Sequence, residues 1–305
     1  MELEARSLEP AFDAALFDAF FAGKPGVIVQ GISGRQGRSH ARLMRAFGTA
    51  IVAGVSRTPG EVEGVPVYPD CASAVAATGA VASVVMVPAA EAAAAVVEAI
   101  AAGLRLVVCV TEGIPVHDAL AMVRAARAAR VILIGGSTPG FVIPQRAKLG
   151  FLPDVALAPG PLGVMSKSGT LSYEVCFRLV KRGFGQTLWM GVGGDPVKGL
   201  RFADLVPWYA ANAATRALVV LGEIGGSEEE ELAEALLANH FTKPVFVLLA
   251  GASAPEGVTM GHAGAMIEGA RGTIASKRAA LEAAGAQVFT ATGALIEAVA
   301  AKLGN

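Results

Sequence analysis

The chain has 305 residues, of which 53% are hydrophobic and 17% charged, and its formal net charge is -1 at pH 7. This length allows two domains that each bury a core. The near-zero charge without a long basic block argues against a nucleic-acid or anionic-membrane partner. No apolar run reaches the roughly 18 residues that a membrane span requires, so we expect a soluble protein.

The three cysteines, Cys71, Cys109 and Cys176, are odd in number and lie far apart in the sequence. They include no CxxC pair, which argues against a disulfide framework and against a zinc site. We therefore predict a reducing, cytoplasmic location and no metal site on this chain.

Residues 1–25 carry acids where a secretory signal would carry basic residues, so they are not interpreted as a targeting peptide. Phe12, Leu16 and Phe20 recur at helical spacing within this segment. The pattern predicts an amphipathic helix that docks on another surface, either a partner or the protein's own sheet.

From Gly26 onward, short β-branched runs alternate with alanine-rich helical stretches. The strand candidates are GVIVQ, IVAGV, ASVVMV, LRLVVCV and VILIG in the first half, and LGVMS, TLWMGV, ALVVLG, PVFVLL and AQVFT in the second. This rhythm is typical of parallel sheets covered by helices on both faces. The proline- and glycine-rich segment FVIPQRAKLGFLPDVALAPGPLG between the halves predicts an irregular domain boundary. We predict a helical extension (1–25) and two doubly wound α/β domains (26–145 and 146–305).

The first strand candidate runs into the motif GISGRQG, where glycines would let the backbone approach a pyrophosphate at a helix N-terminus. The candidate contact residues are Gly31, Ser33, Gly34, Arg35, Gln36 and Gly37. The spacing is not the G-x-G-x-x-G of a nicotinamide site. After the second strand, Ser56 and Arg57 replace the usual ribose-binding acid, which favours a phosphorylated ribose, as in coenzyme A (CoA) or NADP. The alternative is a tight turn without a ligand.

Polar or turn residues end the next two strand candidates: Pro88 in VPAAE, and Thr111 and Glu112 in VTEGIP. In a doubly wound sheet, a ligand that crosses the carboxyl ends of the strands would contact these positions. Either segment is equally compatible with a loop that only reverses the chain.

In the second half, MSKSGTLSYE places Ser168, Gly169 and Thr170 at a predicted helix start, where free N–H groups and the helix dipole favour an anion. A plain serine N-cap is the alternative.

In GEIGGSEEE, Ser227 and Glu230 have the spacing of a capping box. Capping does not explain Glu223, which ends a strand at a glycine-rich turn.

His262 lies in GHAGA, one of four histidines and the one with small neighbours on both sides. A carboxylate such as Glu223 could hold its Nδ1–H, which would leave Nε2 as a nucleophile. A lone histidine is more often structural, but two nearby anion-binding features favour the catalytic interpretation. Because the chain has no G-x-x-x-x-G-K-[ST] loop, we expect the phosphoryl donor to bind another subunit.

The ordered set GISGRQG, VTEGIP, MSKSGTLSYE, GVGGDP, GEIGGSEEE, TKPVF and GHAGA resembles the α subunits of succinyl-CoA synthetases and relatives such as malate–CoA ligases. The resemblance implies a CoA-binding Rossmann domain followed by a flavodoxin-like ligase domain. It also implies a small carboxylic acid substrate, a place in the tricarboxylic acid cycle, and a β subunit whose ATP-grasp domain holds Mg²⁺ with ATP or GTP.

By the same resemblance, His262 is the phosphorylated residue, Glu223 orients it, and Ser168 to Thr170 bind its phosphate. The family's Gly-Pro-Asn-Cys-Pro-Gly segment is replaced here by GGSTPG, which places Ser137 near the expected CoA thiol. Two alternatives stay open at this point: an inert CoA- or NADP-binding regulatory protein, and an NADP-dependent oxidoreductase. The sequence does not choose the acid or the nucleotide.

Overall fold

A computed structural model describes residues 12–251 and 271–304, which form an α/β fold built on two seven-stranded sheets. His262 lies outside the described residues. None of the helices in the described part of the chain combines the length and the apolar character that a membrane span requires.

The first sheet has the strand order β3-β4-β2-β1-β5-β6-β7, and all neighbours are parallel except β3 and β4. Its strands are β1 (Val27–Gln30), β2 (Ile51–Val55), β3 (Gly60–Val62), β4 (Val65–Tyr68), β5 (Ala82–Val85), β6 (Leu106–Cys109) and β7 (Ile132–Gly135). The helices of this half are α2 (Arg35–Phe47), α3 (Cys71–Thr78), α4 (Ala89–Ala101) and α5 (Val116–Ala128). The strand order reverses at β1 and β5, which is the usual ligand position in such sheets.

The second sheet has the order β14-β13-β12-β10-β11-β8-β9 and begins with an antiparallel hairpin, β8 and β9. Its strands are β8 (Gly140–Ile143), β9 (Ala147–Gly150), β10 (Pro159–Ser166), β11 (Gln186–Gly191), β12 (Ala217–Glu223), β13 (Val245–Ala250) and β14 (Gln287–Phe289). The helices are α6 (Gly169–Lys181), α7 (Phe202–Ala211), α8 (Glu228–Ala238), α9 (Ile274–Ala283) and α10 (Thr292–Leu303).

All ten predicted strands are present, and most of their residues are buried, as expected when helices cover both faces of a parallel sheet. The α/β class is therefore confirmed. The sequence analysis missed the short ribbon β3–β4 and the hairpin β8–β9.

The proline- and glycine-rich linker was predicted to be irregular, and that prediction was wrong for its first part, which forms the hairpin β8–β9. Pro144 is compatible with this structure because it lies in the turn between the two strands. Gly140 pairs with Gly150 across the ladder, and a β-carbon on Gly140 would lie 1.8 Å from the carbonyl oxygen of Leu149. The predicted boundary between residues 145 and 146 falls in the turn of this hairpin.

The predicted N-terminal helix is α1 (Ala14–Ala22), and it packs on the protein itself. The Phe17 ring is fully buried and lies 5.1 Å from the Phe141 ring in β8 of the second sheet and 6.4 Å from the Trp208 ring in α7. The Asp13 carboxylate pairs at 2.5 Å with Arg105, which belongs to the first half. The helix thus contacts both domains.

Candidate functional site

The turn between β1 and α2 requires glycine at two positions. Gly31 has a φ of 81°, and a β-carbon on Gly37 would lie only 2.2 Å from the Gly31 carbonyl oxygen. Gly34 caps α2 without a side-chain hydrogen bond, and the first turn of the helix contains no acid. Because the first N–H groups of a helix lack intrahelical partners, this end can accept an anion. The neighbouring predicted residues Ser33, Arg35 and Gln36 are exposed beside it.

The other predicted residues of the first domain follow the carboxyl ends of its remaining parallel strands. Arg57 comes after β2, is exposed, and pairs with Glu91 at 2.8 Å. Pro88 is the N-cap of α4 and lies three residues after the end of β5. The Thr111 hydroxyl donates to the Val87 carbonyl at 2.7 Å, which ties the end of β6 to that of β5. The structure therefore places these residues along one edge of the sheet.

A cavity of about 380 Å³ lies between the two domains. It brings together two groups of residues that the sequence analysis treated separately: Glu112 and Ser137 from the first domain, and Ser168 to Thr170 from the second. Phe151 and Tyr173 supply an aromatic part of the wall. The glycine turn of β1 and the end of β2 lie farther along the same edge and do not line this cavity.

The residues at the start of α6, Ser168 to Thr170, line this cavity. The Ser168 side chain accepts a hydrogen bond from the Leu171 N–H at 3.2 Å, so the predicted N-cap is present. The Ser166 hydroxyl also accepts from the Ser168 N–H at 3.1 Å and donates to the Ser168 carbonyl at 2.8 Å, which fixes the loop. The first turn has no acid. A cap and an anion site are compatible here, and phosphate binding stays a prediction.

A second, smaller cavity of about 160 Å³ lies beside the end of β12. Glu223 is half-buried and contributes to its wall, together with Asp195, Lys198 and Arg201. Lys167 lines both cavities. The pairing of Glu223 with His262 stays a prediction, because His262 lies outside the described residues.

Buried ion pairs surround the second cavity. The Lys167 ammonium lies 2.9 Å from Glu229 and 3.7 Å from Glu228, and Lys198 lies 2.6 Å from Glu228. Lys277 also pairs with Glu229. Burial alone would raise the pKa of Glu229, but the two lysines outweigh it and hold the pKa below its usual value. The pKa of Lys198 is lowered, because burial outweighs its carboxylate partner.

The predicted capping box of α8 is wrong. The Ser227 side chain caps no N–H group and instead donates to Glu231 at 2.6 Å, while Glu230 accepts from the Gly272 N–H at 2.9 Å and from the Ser276 hydroxyl at 2.5 Å. The Glu230 carboxylate, which in a capping box would accept from the Ser227 N–H, is therefore bound by donors outside the helix.

Four buried charged residues near the second cavity were not predicted from the sequence. They are Lys167, Lys198, Glu228 and Glu229. The available signal was a lysine directly before the predicted anion site and four consecutive glutamates, Glu228 to Glu231, at a strand-to-helix turn.

The GGSTPG segment forms the junction between the two sheets. The buried Thr138 hydroxyl donates to the Gly191 carbonyl at 2.5 Å and accepts from the Gly140 N–H at 2.9 Å. A β-carbon on Gly193 would lie 2.3 Å from the Gly136 carbonyl oxygen, so a loop of the second domain closes on this segment. Thr138 thus has a structural role, while Ser137 lines the larger cavity.

Within residues 12–251 and 271–304, no group of three or more His, Cys, Asp or Glu side chains is arranged to hold a metal ion. All three cysteines are buried and free. Burial raises the pKa of Cys109 to about 11, although the Thr111 backbone and hydroxyl partly oppose it. At neutral pH this residue is therefore a thiol and a poor nucleophile.

Two family models match the chain: a CoA binding domain over residues 24–113 and a CoA-ligase domain over residues 165–287. The α subunit 1 of an ADP-forming succinate–CoA ligase from Archaeoglobus fulgidus is 48% identical over 266 residues, which cover 86% of this chain and 90% of that protein. The corresponding α subunit from Aquifex aeolicus is 46% identical, over 90% of this chain and 91% of that one. The chain belongs to the succinate–CoA ligase α-subunit family. It is the α subunit of an NDP-forming acid–CoA ligase, and the inert regulatory alternative is not favoured.

A third relative widens the chemistry of this family. An ADP-forming sulfoacetate–CoA ligase subunit from Bilophila wadsworthia is 42% identical, over 90% of this chain and 96% of that one. Among solved structures, an ATP citrate lyase from Methanothrix soehngenii in complex with citrate and coenzyme A matches with a TM-score of 0.82 and 24% identity. The match covers 92% of this α subunit and 50% of that chain, so the α subunit spans half of the longer enzyme. This likeness supports the fold alone.

Proposed function

We propose that this α subunit supplies the CoA site and the phosphorylated histidine of a reaction that converts a nucleoside triphosphate, a short carboxylic acid and CoA into acyl-CoA, NDP and phosphate. One observation carries the proposal: the cavity of about 380 Å³, where Ser137 of the first domain meets Ser168 to Thr170 of the second. A thiol delivered along the first sheet and a phosphoryl group held at α6 would meet in this space.

The first domain fits CoA on structural grounds. The contact between Gly31 and Gly37 leaves the N-terminus of α2 open, and Arg35 and Arg38 add positive charge in its first turn. An open helix N-terminus with basic neighbours favours a pyrophosphate. Arg57 would contact the ribose phosphate after release from its exposed pair with Glu91, and the CoA chain would then pass Pro88, Thr111 and Glu112 toward Ser137.

The reaction consists of three transfers. First, Nε2 of His262 forms a bond to the γ-phosphorus of the nucleotide while the P–O bond to NDP breaks, and Glu223 holds the Nδ1–H. Second, a carboxylate oxygen of the acid bonds to the phosphorus, and the N–P electron pair returns to the imidazole. Third, the CoA sulfur attacks the acyl carbon and phosphate leaves. The thiol proton is transferred to the departing phosphate. Covalent catalysis thus divides one difficult condensation into easier steps.

We place the nucleotide on a partner β subunit with an ATP-grasp domain, in line with the ADP-forming relatives. Mg²⁺ bound there would neutralise the charge of the transferred phosphoryl group. The named substrates of the relatives, succinate and sulfoacetate, are short acids with a second anionic group. We infer a substrate of the same class for this enzyme, and we keep the cytoplasmic location predicted from its cysteines.

The decisive experiment uses the α subunit purified with its partner and incubated with Mg²⁺ and ATP or GTP. Intact mass spectrometry should show one acid-labile, alkali-stable phosphoryl group on this chain, absent in His262→Ala. Addition of CoA with each of a panel of short acids should then remove the group, and the acid that does so is the substrate. Absence of the label from the nucleotide-bound complex would contradict the proposal.

A further inference from the structure

Among the described residues, Lys167 is the one charged residue that lines both cavities. Its side chain is only 6% exposed, and it directly precedes Ser168, the N-cap of α6. We propose that Lys167 is a catalytic residue of the proposed reaction, whose ammonium contacts the phosphoryl group as the group moves from the Glu223 side to the CoA side.

The surroundings of Lys167 keep its side chain charged. Burial by itself would lower its pKa, but Glu229, Glu228 and Glu223 outweigh burial and raise the pKa above the usual value. The ammonium is therefore a cation throughout the neutral range before any substrate arrives. A charge fixed in advance in a water-poor site is the arrangement that best stabilises negative charge developing in a transition state.

The position of Lys167 is also fixed. Its N–H donates to the Leu221 carbonyl at 3.2 Å, across the β10–β12 pair. The Glu229 carboxylate lies 2.9 Å from the ammonium and accepts from the Glu223 N–H at 3.1 Å. One buried carboxylate thus joins the end of β10 to the end of β12. Glu229 is a positioning residue that sets the distance between Lys167 and the predicted histidine-orienting residue.

An ammonium group has three N–H donors. Among the described residues, its ion-pair partners are Glu229 at 2.9 Å and Glu228 at the longer distance of 3.7 Å. This leaves donor capacity for a phosphoryl oxygen in either cavity. When the N–P bond of phosphohistidine breaks and the bond from phosphorus to the acid oxygen forms, Lys167 would stabilise the charge on the transferred group without exchanging a proton.

The test rests on the proposed phosphohistidine and separates the two ideas. The wild-type complex is first labelled with Mg²⁺ and nucleotide, desalted, and mixed with CoA and the discharging acid, while the loss of phosphate from His262 is followed over time. Lys167→Met should slow this discharge about 10²-fold, the size typical for loss of one oxyanion-stabilising donor. Lys167→Arg, which keeps the charge, should retain most of the rate, and the CoA affinity of both variants should equal that of the wild type.

A matched control is Lys243→Met. Lys243 is another partly buried lysine of the second domain, and its ammonium donates at 2.6 Å to the carbonyls of Tyr209 and Asn212, outside both cavities. It should discharge at the wild-type rate. If Lys167→Met does not fold, Lys167→Gln takes the same test, since it keeps a donor without the charge.

The outcomes are distinct. An unlabelled wild type refutes the proposed function. If the wild type is labelled and the uncharged Lys167 variant discharges at the normal rate, Lys167 has no role in the transfer. The role is also overturned if Lys167→Arg discharges as slowly as Lys167→Met, or if the slower discharge is accompanied by weaker CoA binding.

Discussion

Helices α2 and α8 both begin at the carboxyl edge of a parallel sheet, and they use their N-terminal dipoles in opposite ways. The first turn of α2 contains no acid and is capped only by Gly34. The first turn of α8 contains four glutamates, Glu228 to Glu231, and three of them are buried. The same partial positive charge is left open in one domain and neutralised by the chain itself in the other.

The difference shows that a helix start is an anion site only when the chain does not already fill it. At α8 the carboxylates are held by Lys167, Lys198 and Lys277, so this end forms part of the framework. Helix α6 resembles α2 in having no acid in its first turn. The two open helix starts are the places where we expect CoA and the phosphoryl group.

We expect the largest effect from removing a buried carboxylate at the N-terminus of α8. Glu229→Ala removes the carboxylate between Lys167 and Lys277 and leaves two buried ammonium groups without their main partner. We expect a loss of about 3–5 kcal/mol in the free energy of unfolding, as is typical when one member of a buried pair is removed. Denaturant unfolding measures this. Glu234→Ala on the same helix removes an exposed pair with Arg271 and should leave stability unchanged.

The same carboxylate predicts a pH dependence. Because the folded pKa of Glu229 lies below its usual value, its contribution to stability is present above the unfolded pKa of about 4.3 and is lost as the pH falls through the folded pKa. The free energy of unfolding should therefore fall more steeply for the wild type than for Glu229→Gln between pH 6 and pH 3. Parallel curves for the two proteins would show that the pKa of Glu229 is the same in the folded and unfolded states, which would contradict this prediction.

We expect a smaller effect on stability from a substitution that distorts the turn before α2. A β-carbon at Gly37 would lie 2.2 Å from the Gly31 carbonyl oxygen, so Gly37→Ala must displace the turn. We expect a loss of about 1–3 kcal/mol in stability and a CoA affinity at least tenfold weaker by calorimetry. Gly293→Ala serves as the control, since it adds a methyl group 3.9 Å from the nearest side-chain atom. Unchanged CoA binding in Gly37→Ala would remove this turn from the site.

We expect the smallest effect from adding an acidic residue to the first turn of α2, as in α8. Gln36→Glu adds an acid to an open first turn, so the protein without ligand should gain about 0.3–1 kcal/mol in stability. The same charge would repel the CoA phosphates, and the affinity should fall severalfold at low salt. Ser39→Glu, placed farther along the helix, should change both quantities less. A gain in stability with unchanged affinity would mean that the phosphates bind elsewhere.

The open end of α2 could be predicted from sequence because its signal is local: a buried apolar strand, three glycines at fixed spacing and no acid. The function of the glutamates at α8 could not be predicted in this way. Their partners Lys167, Lys198 and Lys277 come from three segments far apart in the chain, and a run of glutamates after a serine looks like helix capping. The hairpin β8–β9 was missed for a related reason, because the cross-strand pairing of Gly140 with Gly150 is visible only in three dimensions.

Helix α1 has a consequence for attempts to divide this protein. Phe17 fills a space between Phe141 and Trp208 in one domain, while Asp13 pairs with Arg105 in the other. A fragment that contains only the second domain would expose the apolar surface on which this helix rests, and it would be prone to aggregation. A gene that encodes the ligase half should therefore also encode α1, for example through a circular permutation that joins the helix to that half.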